Sequence, residues 1–125
     1  GWDKYAKLHI TALVTIDASN TENGCLEIAA NHHDKGLIGE QWTPLEENAL
    51  DYKPVQTEPG DAIFFDSYAP HRSGPNLTHV KRRVLYVTYN AMSEGDSREK
   101  YYSDKRLSYP PDIERNPNKE YIFKV

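Results

Sequence analysis

The sequence predicts a mainly-β domain of sandwich, jelly-roll or barrel type, and three observations carry that expectation. Residues 7–16 alternate with period two, residues 62–65 and 83–89 are runs of apolar, β-branched and aromatic side chains, and turn formers recur at close spacing between them. Helix signals are short and marginal, which disfavours an α/β fold.

Each element has its own signal. Leu8, Ile10, Ala12, Val14 and Ile16 alternate with His9, Thr11, Leu13 and Thr15, so 7–16 reads as a strand whose apolar set forms the well-buried face. Residues 17–24 are dense in turn formers and end in Asn23-Gly24, a pair that readily takes positive φ in a tight reversal. A shorter strand follows over 25–29. From 31 to 51 the alternation fades and predicts a loop. Inside it Thr43-Pro44-Leu45-Glu46 matches a capping box with Pro at the first helical position, predicting a short helix over 44–50. Residues 55–57 predict a short strand, Glu58-Pro59-Gly60-Asp61 a turn, and 62–65 a continuous apolar strand. The stretch 67–81 reads as turn-rich, with Pro70, Gly74 and Pro75. The next strong strand spans 83–89. Asp96-Ser97-Arg98-Glu99 predicts the start of a helix running to about residue 107, ended by Pro110-Pro111. Residues 112–120 read as polar loop and 121–125 as an edge segment.

Composition narrows the function. At 125 residues, 38% hydrophobic and 27% charged, the chain fits a single small domain over 1–125. No stretch approaches the roughly 18 apolar residues of a membrane-spanning helix. The one cysteine, Cys25, excludes an internal disulfide framework and a Cys-rich zinc module. With no secretory leader in view, a reducing, cytoplasmic location is expected. A formal charge of −4 disfavours a general nucleic-acid binder, and Lys81-Arg82-Arg83 is the one basic cluster of note. Neither nucleic acid nor a membrane is therefore an expected partner.

Histidine is scarce, with His9, His32, His33, His71 and His79 making up the set of five. His71 follows the apolar strand 62–65 across a turn, and Arg82 comes eleven residues later at the mouth of the next strand. A histidine and an arginine so placed can face one cavity. Taken alone, His71 would read as a hydrogen-bonded turn residue.

Four segments together resemble a known family in order and spacing: Glu22-Asn23-Gly24-Cys25-Leu26, Pro59-Gly60-Asp61-Ala62-Ile63-Phe64-Phe65-Asp66, His71-Arg72-Ser73-Gly74-Pro75-Asn76 and Arg82-Arg83. The set is similar to the phytanoyl-CoA dioxygenase family of Fe(II)- and 2-oxoglutarate-dependent oxygenases. Within that family it resembles bacterial hydroxylases of small polar substrates such as 2-aminoethylphosphonate. The likeness covers about 7–90, with 91–125 as a Tyr-rich polar extension. It implies an all-β, cupin-like double-stranded β-helix, or jelly roll, with short peripheral helices.

The resemblance also implies roles. His71 matches the distal iron ligand, Arg82 the arginine that pairs with the far carboxylate of 2-oxoglutarate, and Ser73 a hydroxyl supporting the same carboxylate. Imidazole suits Fe(II) in a facial triad, and a guanidinium fork grips a carboxylate in a way lysine cannot copy. Arg82 and Arg83 alternate along the strand, so one points inward, and spacing favours Arg82. His9 and Thr11 lie on the less apolar face of the first strand and are candidates for lining the pocket, although partial exposure explains them equally well. The implied reaction consumes Fe(II)-bound 2-oxoglutarate with O2, yielding succinate, carbon dioxide and a hydroxylated substrate.

One departure from the family pattern stands out. Its other two iron ligands form a His-x-Asp motif just before the strand matched by 8–16, which by spacing falls upstream of Gly1. The chain, opening on Gly1, is therefore expected to be a C-terminal piece, fold incomplete at its N-terminus and inactive alone. His32-His33-Asp34 contains His-x-Asp literally, but it follows the second strand, where the family carries a rim loop, and reads as solvated polar residues. The alternative function is a non-catalytic β-barrel binding module that has lost its metal site. Open sheet edges in such a piece predict a homodimer or a domain swap.

Overall fold

The computed structural model describes residues 2–122, and these fall into two compact units, one of residues 9–89 and one of 2–8 with 90–122. The larger holds two three-stranded sheets, built from β1 (His9–Thr15), β2 (Leu26–Ile28), β3 (Lys53–Val55), β4 (Ala62–Asp66), β5 (His71–Ser73) and β6 (Val84–Asn90). Strand order is β4-β1-β6 in one sheet and β3-β2-β5 in the other. Such a mainly-β, cupin-like architecture is the fold class the sequence predicts.

Register decides which side chains meet. β1 runs antiparallel to β4 with Thr11 opposite Phe65 and Leu13 opposite Ile63. β2 runs antiparallel to both neighbours, setting Leu26 opposite Val55 and Ser73, and Ile28 opposite His71. Because side chains alternate between faces, one face of each sheet gathers into a shared core of Leu13, Leu26 and Phe65, packed by Ile28, Ile63 and Val84.

The apolar alternation of β1 misassigns its faces. Leu8, Ile10 and Ile16 are exposed, whereas His9, Thr11, Leu13 and Thr15 are buried. The reason is that the inner face looks into a polar space between the sheets, where hydroxyls find partners. Thr11 Oγ1 pairs with Thr88 Oγ1 at 3.1 Å, and Thr15 Oγ1 donates to Thr57 Oγ1 at 2.8 Å. A buried hydroxyl with such a partner carries little desolvation penalty. The outer face consequently shows Phe64, 69% exposed, beside Ile10 and Leu85.

Two further expectations need correction. The capping box at Thr43 does not start a helix; 44–50 is loop and turn, closed by Ala49 N–H donating to the Glu46 carbonyl. One turn of helix fixes many dihedrals for few hydrogen bonds, and no large apolar stripe here offsets that nucleation cost. Conversely, β5 is a strand inside the stretch read as turn-rich. His-Arg-Ser carries no hydrophobic signal, and its extended form comes from pairing with β2. The strand expected at 55–57 is displaced to β3, with Thr57 forming an isolated bridge to Ser19.

The smaller unit centres on α1 (Arg98–Ser108), where the sequence predicts a helix. Asp96 Oδ1 accepts from Arg98 N–H at its start. Tyr5 packs edge-on against Tyr101 and donates to Asp104 Oδ2 at 2.7 Å. Burial, then that bond to a carboxylate, pushes the Tyr5 phenol up to about 12. Arg106 grips Glu114 through two hydrogen bonds, and Arg115 lies 3.9 Å over the Tyr109 ring. Of the edge segment expected over 121–125, Tyr121 and Ile122 are not in a strand and 123–125 lie outside the described residues. Among the described residues no helix is long and apolar enough to cross a membrane.

Candidate functional site

Two cavities in the larger unit carry residues that the sequence singled out. Along β5, His71 and Ser73 are two residues apart and so share a face, with Arg72 turned the opposite way. That face is the inner one, because Phe65 of the core lies 4.9 Å from the His71 ring, centre to centre.

The histidine is held in one tautomer. His71 Nδ1 lies 2.9 Å from the Ala69 carbonyl oxygen, a partner that only accepts, so Nδ1 carries the proton and donates. Nε2 then keeps its lone pair, the form in which imidazole binds a metal. His71 also stands in the wall of a cleft of about 350 Å³ shared with Ser67, Tyr68, Tyr52 and the loop residues Leu37 and Leu45.

Ser73 and Arg82 meet in a second, smaller cavity of about 130 Å³, with Tyr86, Ser19 and Thr57 around them and Leu13, Leu26 and Ile63 behind. Arg82 Nη1 donates to the Gly74 carbonyl at 3.3 Å. That is a loose bond which leaves the rest of the guanidinium fork for a ligand. Arg83 cannot compete for the place. Its Nε and Nη2 grip both oxygens of Asp17 at 2.8 and 2.9 Å, and its backbone N–H donates to the same carboxylate. These bonds hold the Asp17 carboxyl down at about 2. Asp17 and Ile16 N–H groups in turn donate to the Arg83 carbonyl, so the pair rivets the end of β1 to the start of β6 and fixes which arginine faces inward.

Gly24 makes the close approach possible. It sits at φ +76°, and a Cβ there would stand 2.5 Å from the Gly74 oxygen, 2.8 Å from the Pro75 oxygen and 2.7 Å from Arg82 Nη1. Only glycine fits such a position without strain. The Asn23-Gly24 turn is itself locked by Asn23, whose amide donates to the Ala18 carbonyl and whose side-chain oxygen accepts from Asn20 N–H.

The remaining candidates fall elsewhere. His9 and Thr11 are buried on the inner face of β1, Thr11 bound to Thr88, and neither stands in the wall of the two cavities. His32 hydrogen-bonds the Ala30 carbonyl, while His33 and Asp34 lie in a single 3₁₀ turn, His33–Lys35. Among the described residues no three His, Cys, Asp or Glu side chains stand together as a metal-holding group. Cys25 is buried, and burial pushes its thiol up, as for an inert core residue. Tyr86 went unnoticed in the sequence although it is four residues from Arg82 and therefore on the same strand face; it is half exposed, and partial desolvation raises its phenol.

The profile of the family described as Phytanoyl-CoA dioxygenase (PhyH) matches residues 2–84. Over 115 residues the chain is 46% identical to a methylphosphonate hydroxylase of Gimesia maris, covering 85% of this chain and 42% of that protein. It is 42% identical to a 2-aminoethylphosphonate dioxygenase of an uncultured bacterium, covering 92% and 45%, and 29% identical to the dioxygenase lolE1 of Epichloe uncinata, covering 89% and 45%. The chain spans less than half the length of these curated relatives.

Proposed function

The chain belongs to the phytanoyl-CoA dioxygenase family, and on that premise we propose that it is the C-terminal part of a cytoplasmic Fe(II)- and 2-oxoglutarate-dependent hydroxylase of a small phosphonate. The observation that supports this reading is that His71 and Ser73 share one face of β5, the histidine with Nε2 free beside one cleft and the serine meeting Arg82 in a second, hydroxyl-rich cavity.

The cavity suits the far end of 2-oxoglutarate. A carboxylate there would take the Arg82 fork and the Ser73 hydroxyl, and Leu13, Leu26 and Ile63 would offer apolar surface to the methylene chain. His71 and Ser73 are two positions apart on a strand, about 7 Å along its axis, a span a five-carbon diacid can bridge. The fit to iron is incomplete. His71 offers one ligand of the three that a facial triad needs, and no metal-holding group of three stands among the described residues. The proposal assigns the other two, a His-x-Asp pair, to protein beyond these 125 residues. His71 would orient its Nε2 through the Ala69 bond, and the inner face of β1 would exclude water behind it. Overall, substrate C–H, O2 and 2-oxoglutarate would become C–OH, succinate and carbon dioxide.

The relatives named for methylphosphonate and 2-aminoethylphosphonate support a phosphonate as substrate, and the cleft beside His71 would receive it. The test is succinate formation by the full-length protein with Fe(II), 2-oxoglutarate and either phosphonate. Substrate-dependent succinate that disappears in His71→Ala is expected. Binding of phosphonate without any succinate would leave a binding module instead. The same proposal has the 125-residue chain pairing with a second copy through its open sheet edges; a monomer in sedimentation at high concentration would count against that.

A further inference from the structure

Between His71 and Ser73, Arg72 points to the outer face of the β3-β2-β5 sheet and makes three contacts there. Its Nε donates to Glu27 Oε2 at 2.6 Å, Glu27 being its direct cross-strand partner on β2. Its Nη1 donates to the Glu47 backbone carbonyl at 2.7 Å, and its guanidinium lies 4.2 Å over the Tyr52 ring. Glu27 belongs to the sheet, whereas Glu47 and Tyr52 belong to the loop that precedes β3. Pro44, Leu45, Glu46 and Tyr52 of that loop line the cleft together with His71 and with Arg72 itself, so loop exchange, which a direct substrate contact would not move, is the readout that separates a bolt from a binding group. No helix holds this loop, and the capping box at Thr43 is unused, so few backbone bonds fix it.

We propose that Arg72 is a positioning residue that bolts the 44–52 loop to β5 and so sets the width of the cleft beside His71, where the substrate rather than 2-oxoglutarate binds. The inference rests on the hydroxylase reading for what the cleft receives, but the bolt itself does not. An exposed ion pair is worth little by itself. Here a planar fork spans a carboxylate on one element and a carbonyl on another, with an aromatic ring beneath. An ammonium can reach one of these partners but cannot copy the fork. Arg72 sits one residue from the candidate iron ligand, so loop position and imidazole position are linked through one strand.

The experiment uses the full-length protein and the variants Arg72→Lys, Arg72→Ala and Glu27→Gln. Hydrogen exchange of residues 44–52 should quicken about tenfold in Arg72→Ala, with Arg72→Lys intermediate, while β1 and β4 keep their protection. The KM for 2-aminoethylphosphonate should rise about tenfold and that for 2-oxoglutarate stay within about twofold, since the Arg82 cavity lies on the other face. Unchanged exchange at 44–52 would overturn the bolt whatever activity is found. Equal rises in both KM values would overturn the selective role, leaving Arg72 a general stabiliser. Should an Arg72 variant fail to fold, Glu27→Gln removes one partner's charge and still reads loop exchange. A wild-type protein that forms no succinate would sink the hydroxylase reading without touching the exchange result.

Discussion

At one end of the inter-sheet space Arg82, Ser73, Ser19 and Thr57 surround a cavity of about 130 Å³, while at the other His71 stands against Phe65 without a metal-holding group of three side chains around it among the described residues. The Arg82 end is assembled wholly from local devices: a glycine with positive φ, a locked Asn turn and an Asp17–Arg83 rivet. On the proposed reading its chemistry is therefore present within this chain. The His71 end holds its imidazole through the Ala69 carbonyl, and on the same reading its metal would need ligands that these residues do not supply. On the proposed reading the difference teaches that cosubstrate binding and metal binding are separable parts of the site, each open to perturbation alone.

The largest effect should come from the cosubstrate end. Arg82→Ala in the full-length protein should weaken 2-oxoglutarate binding by about 3 kcal/mol, roughly a hundredfold, measured calorimetrically. Arg82→Lys should recover only part, since a point charge lacks the fork. Arg83→Ala should leave that affinity within about twofold, and equal losses in the two variants would break the assignment of Arg82 as the inward arginine.

Next in size is Gly24→Ala. The added Cβ meets backbone oxygens at 2.5 and 2.8 Å at a φ of +76°, so a loss of about 2 kcal/mol in unfolding stability is expected, with a raised KM for 2-oxoglutarate. A variant of unchanged stability would show that the turn yields freely. Ser73→Ala should weaken the cosubstrate by about 1 kcal/mol, close to fivefold, without altering iron binding.

The smallest effect concerns acid stability. Arg83 holds the Asp17 carboxyl at about 2 against an ordinary 3.8, so the unfolded state takes up its proton first as pH falls. The contribution of the pair is complete above pH 3.8 and is lost as pH drops towards 2. Asp17→Asn should flatten this part of the unfolding curve between pH 4 and 2, while an identical acid limb in the variant would show that the rivet adds nothing.

Much of this was legible in the residues. Strands β1, β4 and β6 announce themselves by β-branched and aromatic runs, and the Asn23-Gly24 and Pro59-Gly60 turns by their chemistry. The misassigned face of β1 has a physical cause: hydropathy assumes an apolar interior, whereas Thr11 and Thr15 line a space where hydroxyls are satisfied by Thr88 and Thr57. β5 is hidden because His71, Arg72 and Ser73 carry no hydrophobic run, and their extended form comes from pairing with β2. The helix read at 44–50 shows the opposite error, a good local cap with nothing to pack against. At the candidate site, the family pattern is what singles out His71, Ser73 and Arg82, whereas Tyr86 and the Arg72 contacts require knowing which face each strand presents.

The most direct measurement is an anaerobic titration of the full-length protein with Fe(II) and 2-oxoglutarate, following the visible charge-transfer band of the chelated complex, beside His71→Ala and Arg82→Ala. The account predicts a band in the unsubstituted protein, none in His71→Ala at any 2-oxoglutarate concentration, and one in Arg82→Ala that returns when 2-oxoglutarate is raised about a hundredfold. A full band in His71→Ala would contradict the assignment of that histidine to the metal, and with it the division of the site into two separable ends.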